Sequence, residues 1–81
     1  MKFSHPIPVT ELAKKLNAEL LGDRTLMATG ANEIHKVKPG DVMFVDAKKY
    51  FKKALASPAT IIILNEKIPC PPGKALLVCE Q

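Results

Sequence analysis

Two stretches in the second half of the chain leave little freedom in the fold. Thr60-Ile61-Ile62-Ile63-Leu64 is apolar at successive positions, and Lys74-Ala75-Leu76-Leu77-Val78-Cys79 is apolar after its lysine. Side chains along a strand point alternately to opposite faces, so a strand can be apolar throughout only where both faces are covered. The first run therefore reads as a central strand of a layered sheet, and the second as a further buried strand. Between them, Asn65 to Gly73 is a proline-rich excursion.

The rest of the chain supplies what such a sheet needs. Phe3 to Ile7 reads as an edge strand, because Pro6 and Pro8 lack the N–H that a central ladder requires. Val9, Leu12, Ala13 and Leu16 follow with the i, i+3, i+4, i+7 spacing of a helix that buries one stripe, and Asn17 suits a left-handed C-cap. Ala18 to Leu21 and Thr25 to Thr29 read as strands around the turn Gly22-Asp23-Arg24. A helix over Ala47 to Ala56 ends before Ser57-Pro58, where proline disfavours continuation. Strand, helix and strand over residues 42–64 have the length of a right-handed crossover unit. The expected fold is α/β: a small mixed sheet of about five strands with two main helices. At 81 residues the chain makes one domain with one modest core. It ends two residues after an apolar strand, which suggests a domain cut from a longer polypeptide.

Composition removes several function classes. The two cysteines, Cys70 and Cys79, are too few for a zinc site and read as reduced cytosolic thiols. The start of the chain lacks the apolar core of a signal peptide, and no apolar run approaches a membrane span, so a soluble, cytoplasmic protein is expected. The four glycines are scattered, which leaves no phosphate-cradling loop. His5 and His35 have no nucleophile beside them in sequence, and Cys70 sits between two prolines without an activating partner. Catalysis within these residues is not expected, and neither is a cofactor or a metal site.

Charge points weakly toward anions. The net charge is +4, and eleven of the 12 basic residues are lysine. Lys48, Lys49, Lys52 and Lys53 fill the helix positions left by the apolar set Ala47, Tyr50, Phe51, Ala54 and Leu55. A solvated outer face is the plain reading, and a diffuse patch for phosphates or nucleic acid is the functional one. No aromatics interleave with the lysines, so base stacking on that face is unsupported.

The most informative stretch is Lys38 to Tyr50. Pro39-Gly40-Asp41 is turn chemistry, Val42-Met43-Phe44-Val45 a short covered strand, and Asp46 a candidate cap for the helix that follows. Phe44 and Tyr50 stand at the two ends of this strand-to-helix junction, where a flat ring would fit between them. Tyr50 also falls on the apolar stripe, which makes a core aromatic the competing reading.

The run Gly40-Asp41-Val42-Met43-Phe44-Val45-Asp46-Ala47-Lys48-Lys49-Tyr50 resembles a known signature, Gly-Asp-Leu-Ser-Phe-Leu-x-Asn-Pro-Lys-Tyr. It belongs to the UDP-3-O-(3-hydroxyacyl)glucosamine N-acyltransferases of bacterial lipid A biosynthesis. The helix Thr10-Glu11-Leu12-Ala13, the turn Glu19-Leu20-Leu21-Gly22-Asp23, Lys53-Ala54-Leu55 and the Ile61 to Leu64 strand fall at matching spacing. The resemblance implies an N-terminal domain that holds the uridine end of a UDP-acylglucosamine substrate, with Phe44 and Tyr50 sandwiching the uracil. Val45, Asp46 and Ala47 are implied as further substrate contacts. Ala47 stands where the family carries the asparagine that reads the base edge, so that task would fall to backbone groups or to Asp46.

The family's catalytic part, a left-handed β-helix of hexapeptide repeats that engages acyl carrier protein, has no counterpart in these residues. The resemblance thus implies a docking fragment, inactive and monomeric alone, from a homotrimeric acyltransferase, with no membrane insertion and no nucleic acid expected. Two alternatives stand beside it. Val37 to Val45 is also similar to the UDP-binding domain of Mur ligases, although Ile34-His35-Lys36 and Lys48 to Tyr50 do not match. The other is a small lysine-rich nucleic-acid-binding module.

Overall fold

A computed structural model describes residues 1–79. The elements run β1 (Lys2–Pro8), α1 (Val9–Leu16), β2 (Glu19–Gly22), β3 (Met27–Ala31), β4 (Asp41–Val45), a 3-10 turn (Lys48–Tyr50), α2 (Phe51–Ala56), β5 (Ile61–Leu64) and β6 (Ala75–Val78). Among the described residues six strands form one mixed sheet, ordered β1-β3-β4-β5-β6-β2. That is one strand more than the sequence suggests. The reading that nothing folded follows the last strand falls on Glu80 and Gln81, outside the described residues.

The four inner strands β3, β4, β5 and β6 are parallel, and each edge strand pairs antiparallel with its neighbour. β5 sits between β4 and β6, the place its unbroken apolar run requires. Successive β5 residues feed two separate cores: Ile61 packs with Val9, Ala13, Ala28, Val42, Ala75 and Leu77 beneath α1. Ile62 and Leu64 pack instead with Met43, Val45, Phe51, Ala54 and Leu76 beneath α2. Ile61, Ile62, Leu64, Leu76, Leu77 and Val9 are the largest fully buried side chains, and each contributes about 1.5–3 kcal/mol relative to exposure.

α1 connects the two edges of the sheet, since it follows β1 at one edge and leads into β2 at the other. Pro8 closes β1 as the N-cap residue rather than entering the first helical turn, and Asn17 ends the helix in the left-handed conformation, as expected. Val9 and Ala13 are buried, but Leu16, at the end of the stripe, is exposed. The opposite face is covered by α2 and by two loops, through Ile34 and Val37 before β4 and through Ile68 and Cys70 before β6. Lys74 locks this side. Its Nζ donates to the carbonyls of Ser57 and Ala59, just past α2. Burial lowers its pKa.

The segment after β4 departs from the sequence reading. A single helix from Ala47 is expected, yet a 3-10 turn over Lys48–Tyr50 precedes an α-helix that starts only at Phe51. With about three residues per turn instead of 3.6, the tighter segment shifts the angular phase of the side chains. The apolar stripe survives as Phe51 and Ala54, which are buried, while Tyr50 swings out of the core. Asp46 does not cap: Ala47 holds the N-cap position, and no side chain caps the turn.

Candidate functional site

β4 begins in a turn that its own first residue closes. The amide of Asp41 donates to the carbonyl of Lys38 at 2.9 Å, and Gly40 takes a φ of +93°, the geometry of a type II turn with proline at its second position. The Asp41 carboxylate is buried, at 7% exposure. One of its oxygens, Oδ2, accepts from Asn32 Nδ2 at 2.8 Å and from the amide of Lys38 at 2.9 Å. The Asn32 hydrogen bond leads in holding its pKa below the ordinary carboxylate value, with the Lys38 amide adding to it, against the upward push of burial. Asn32 lies just past the end of β3, so this network fixes the β3–β4 loop against the strand it enters.

At the other end of β4, alternation sends Met43 and Val45 into the α2 core and Val42 into the α1 core. Phe44 belongs to neither core and is 49% exposed, and Tyr50 is 47% exposed. These two rings line one cleft of about 350 Å³, together with Val45 and Asp46. The cleft opens at the carboxyl ends of parallel strands, where α/β sheets carry ligands. The core-aromatic reading of Tyr50 is thereby corrected.

Among the residues singled out from sequence, Phe44, Tyr50, Val45 and Asp46 come together on the cleft, and Ala47 does not line it. The carbonyl of Ala47 is engaged instead, accepting from the Tyr50 amide at 3.0 Å to close the 3-10 turn. Asn65 Nδ2 reaches the Asp46 carbonyl at 3.5 Å. Lys49 Nζ lies 5.2 Å from the Tyr50 ring centroid, within cation–π range. Lys49 itself does not line the cleft.

Glu33, His35 and Lys53 also line the cleft, and the sequence reading gave none of them this place. Glu33 and His35 arrive through the parallel pairing of β3 with β4, for which no local signal exists. Lys53 had one available: it stands three residues after Tyr50, and residues at that spacing are neighbours on a helix surface. The remaining lysines of the segment face solvent, and the Lys48–Glu66 pair, exposed at 4.0 Å, adds little.

Among the described residues no three His, Cys, Asp or Glu side chains cluster as metal ligands, and no helix is long and apolar enough to cross a membrane. The Cys70 thiol lies against the carbonyls of Pro71 and Lys74, and burial raises its pKa.

A family model described as LpxD, UDP-3-O-(3-hydroxymyristoyl) glucosamine N-acyltransferase, matches residues 26–81. The chain belongs to this family. The matched region contains the whole LpxD-like junction, from the Asp41 turn through Phe44 and Tyr50 to α2. A UDP-3-O-acylglucosamine N-acyltransferase of Syntrophotalea carbinolica is 34% identical over 73 residues, which is 90% of this chain and 21% of that protein. A protein of the same name from Myxococcus xanthus is 32% identical over 72 residues, 89% of this chain and 21% of its own length. Another, from an Anaeromyxobacter species, is 30% identical over 69 residues, 85% of this chain and 20% of that protein. The chain therefore spans about a fifth of the length of these curated relatives.

Proposed function

We propose that this chain is the substrate-docking domain of an LpxD-type N-acyltransferase and that it holds the uridine end of UDP-acylglucosamine. The observation that supports this reading is the pair of half-exposed rings, Phe44 and Tyr50, on one cleft at the carboxyl end of β4. Uracil enters between the rings. Its N3–H, the one donor on its pairing edge, meets the carboxylate of Asp46, in place of an asparagine at position 47.

The acyl transfer itself belongs to a further domain built of hexapeptide repeats. That domain takes the 3-hydroxyacyl chain from acyl carrier protein, delivers it to the glucosamine 2-amine, and holds the parent enzyme as a homotrimer. The 81-residue chain alone is monomeric, soluble in the cytoplasm and without turnover.

Stacking on aromatic side chains is worth about 1–3 kcal/mol per base. Two rings together supply about 4 kcal/mol, a dissociation constant on the order of 1 mM. Calorimetric titration of the chain with UDP tests this. The expected result is weak saturable binding that Phe44→Ala lowers by about tenfold. Equal binding by wild type and Phe44→Ala sinks the stacking arrangement.

A further inference from the structure

Lys53 is the one lysine that lines the aromatic cleft, and it does so from the first turn of α2, three residues after Tyr50. Tyr50 and Lys53 thus line the same cleft from consecutive turns, the 3-10 turn and the start of α2. The segment from Ala47 to Ala56 contains four lysines and no acidic residue. The acidic side chains on the cleft, Glu33 and Asp46, come from other elements, the β3–β4 loop and the end of β4. The cleft is thus polarised, with carboxylates toward the strand ends and positive charge toward α2.

We propose that Lys53 binds the phosphate oxygens of a nucleoside diphosphate and so sets the direction in which the nucleotide lies. This deepens the base-stacking reading and rests on it for the position of the base. With the ring held by Phe44 and Tyr50, groups that donate hydrogen bonds, the base N–H and the ribose hydroxyls, face Asp46 and Glu33. The diphosphate leaves along α2, where the lysine ammonium is a point charge suited to phosphate. The reverse orientation sets phosphate against two carboxylates and is disfavoured by like-charge repulsion. Lys52 and Lys48 contribute only the surrounding field, since neither lines the cleft.

The test compares uridine, UMP and UDP by calorimetry or amide chemical-shift titration, at low and at high ionic strength. Wild type is expected to bind UDP about fivefold tighter than uridine at low salt, with the gap narrowing as salt screens it. Lys53→Ala closes most of that gap and leaves uridine affinity unchanged. Lys53→Arg keeps the gap, and Lys52→Ala, a change on the solvent face, keeps most of it. Circular dichroism of each variant confirms that the exposed substitution leaves the fold intact.

A wild type that binds uridine and UDP equally overturns the phosphate contact while the stacking reading stands. So does a gap that persists in Lys53→Ala. Uridine that fails to bind, with UDP binding still dependent on Lys53, removes the stacking reading and keeps the phosphate contact. Absence of binding by all three ligands overturns both.

Discussion

The carboxylate of Asp41 holds two donors with a single oxygen, the side chain of Asn32 and the amide of Lys38. Those bonds, Asn32 foremost, keep the group ionised in the folded chain to lower pH than in the unfolded one. A depressed folded pKa contributes stability that is complete above the unfolded value, near pH 4, and is lost as pH falls through the folded value. Denaturant titrations from neutral to acid pH should therefore show stability dropping below about pH 4. Asp41→Asn should flatten that drop, at a cost of roughly 1 kcal/mol at neutral pH, because an amide oxygen keeps both bonds without the charge. The aromatic residues separate by the same logic of environment. Phe44→Ala and Tyr50→Ala should change stability by less than about 1 kcal/mol, because both rings are half in water. Phe51→Ala, which empties a core position, should cost about 3–5 kcal/mol. Equal losses at all three positions in chemical denaturation would place the first two in the core instead.

Among the elements, the turn that starts β4 is the least tolerant of change. Gly40 has a φ of +93°, and a Cβ there would run into Thr29 Oγ1. Its amide donates to Thr60 Oγ1 at 2.9 Å, and its carbonyl accepts from the Thr29 amide at 2.8 Å. One glycine therefore ties the entrances of β4 and β5 to the middle of β3. Gly40→Ala should destabilise by about 1–3 kcal/mol, and hydrogen exchange should show the β3 and β4 amides opening together. The 3-10 turn at Lys48–Tyr50 has the opposite character, exposed on its lysines and on Tyr50. Few buried contacts hold it, so it is the place where the cleft can adjust to a ligand without disturbing the sheet.

At the scale of the molecule, two cores share one sheet. Ile61 belongs to the α1 core and Ile62 to the α2 core, although they are adjacent in the chain. Ile61→Val and Ile62→Val should each cost about 0.5–1.5 kcal/mol. Both should shift the midpoint of a single unfolding transition without changing its slope in denaturant. Separate transitions for the two variants would mean that the faces unfold independently. This arrangement also explains the location of the cleft. The inner strands are parallel, so their carboxyl ends lie on one side of the sheet. Loops that are distant in sequence, carrying His35 and Tyr50, meet there.

Much of this was legible in the residues themselves. The unbroken apolar runs place β5 and β6 inside, because a strand with no polar face has no other stable position. The prolines of β1 hold it to an edge, since they cannot donate, and the Pro39-Gly40 turn and the Asn17 cap follow from local backbone sterics. The residues of the junction also carry the family likeness and name Phe44 and Tyr50 as a pair. What tertiary structure decided is whatever depends on elements meeting across the sheet. The helical period assigned Tyr50 to the core, but a 3-10 turn changed its phase and left the ring in water. No local pattern predicts that parallel pairing of β3 and β4 carries Glu33 and His35 to the cleft, and only the i+3 spacing from Tyr50 hints that Lys53, one more exposed lysine on a basic helix, lines it. Local sterics and burial are written residue by residue along the chain, whereas the chemistry of a cleft depends on which distant segments the completed sheet brings within reach.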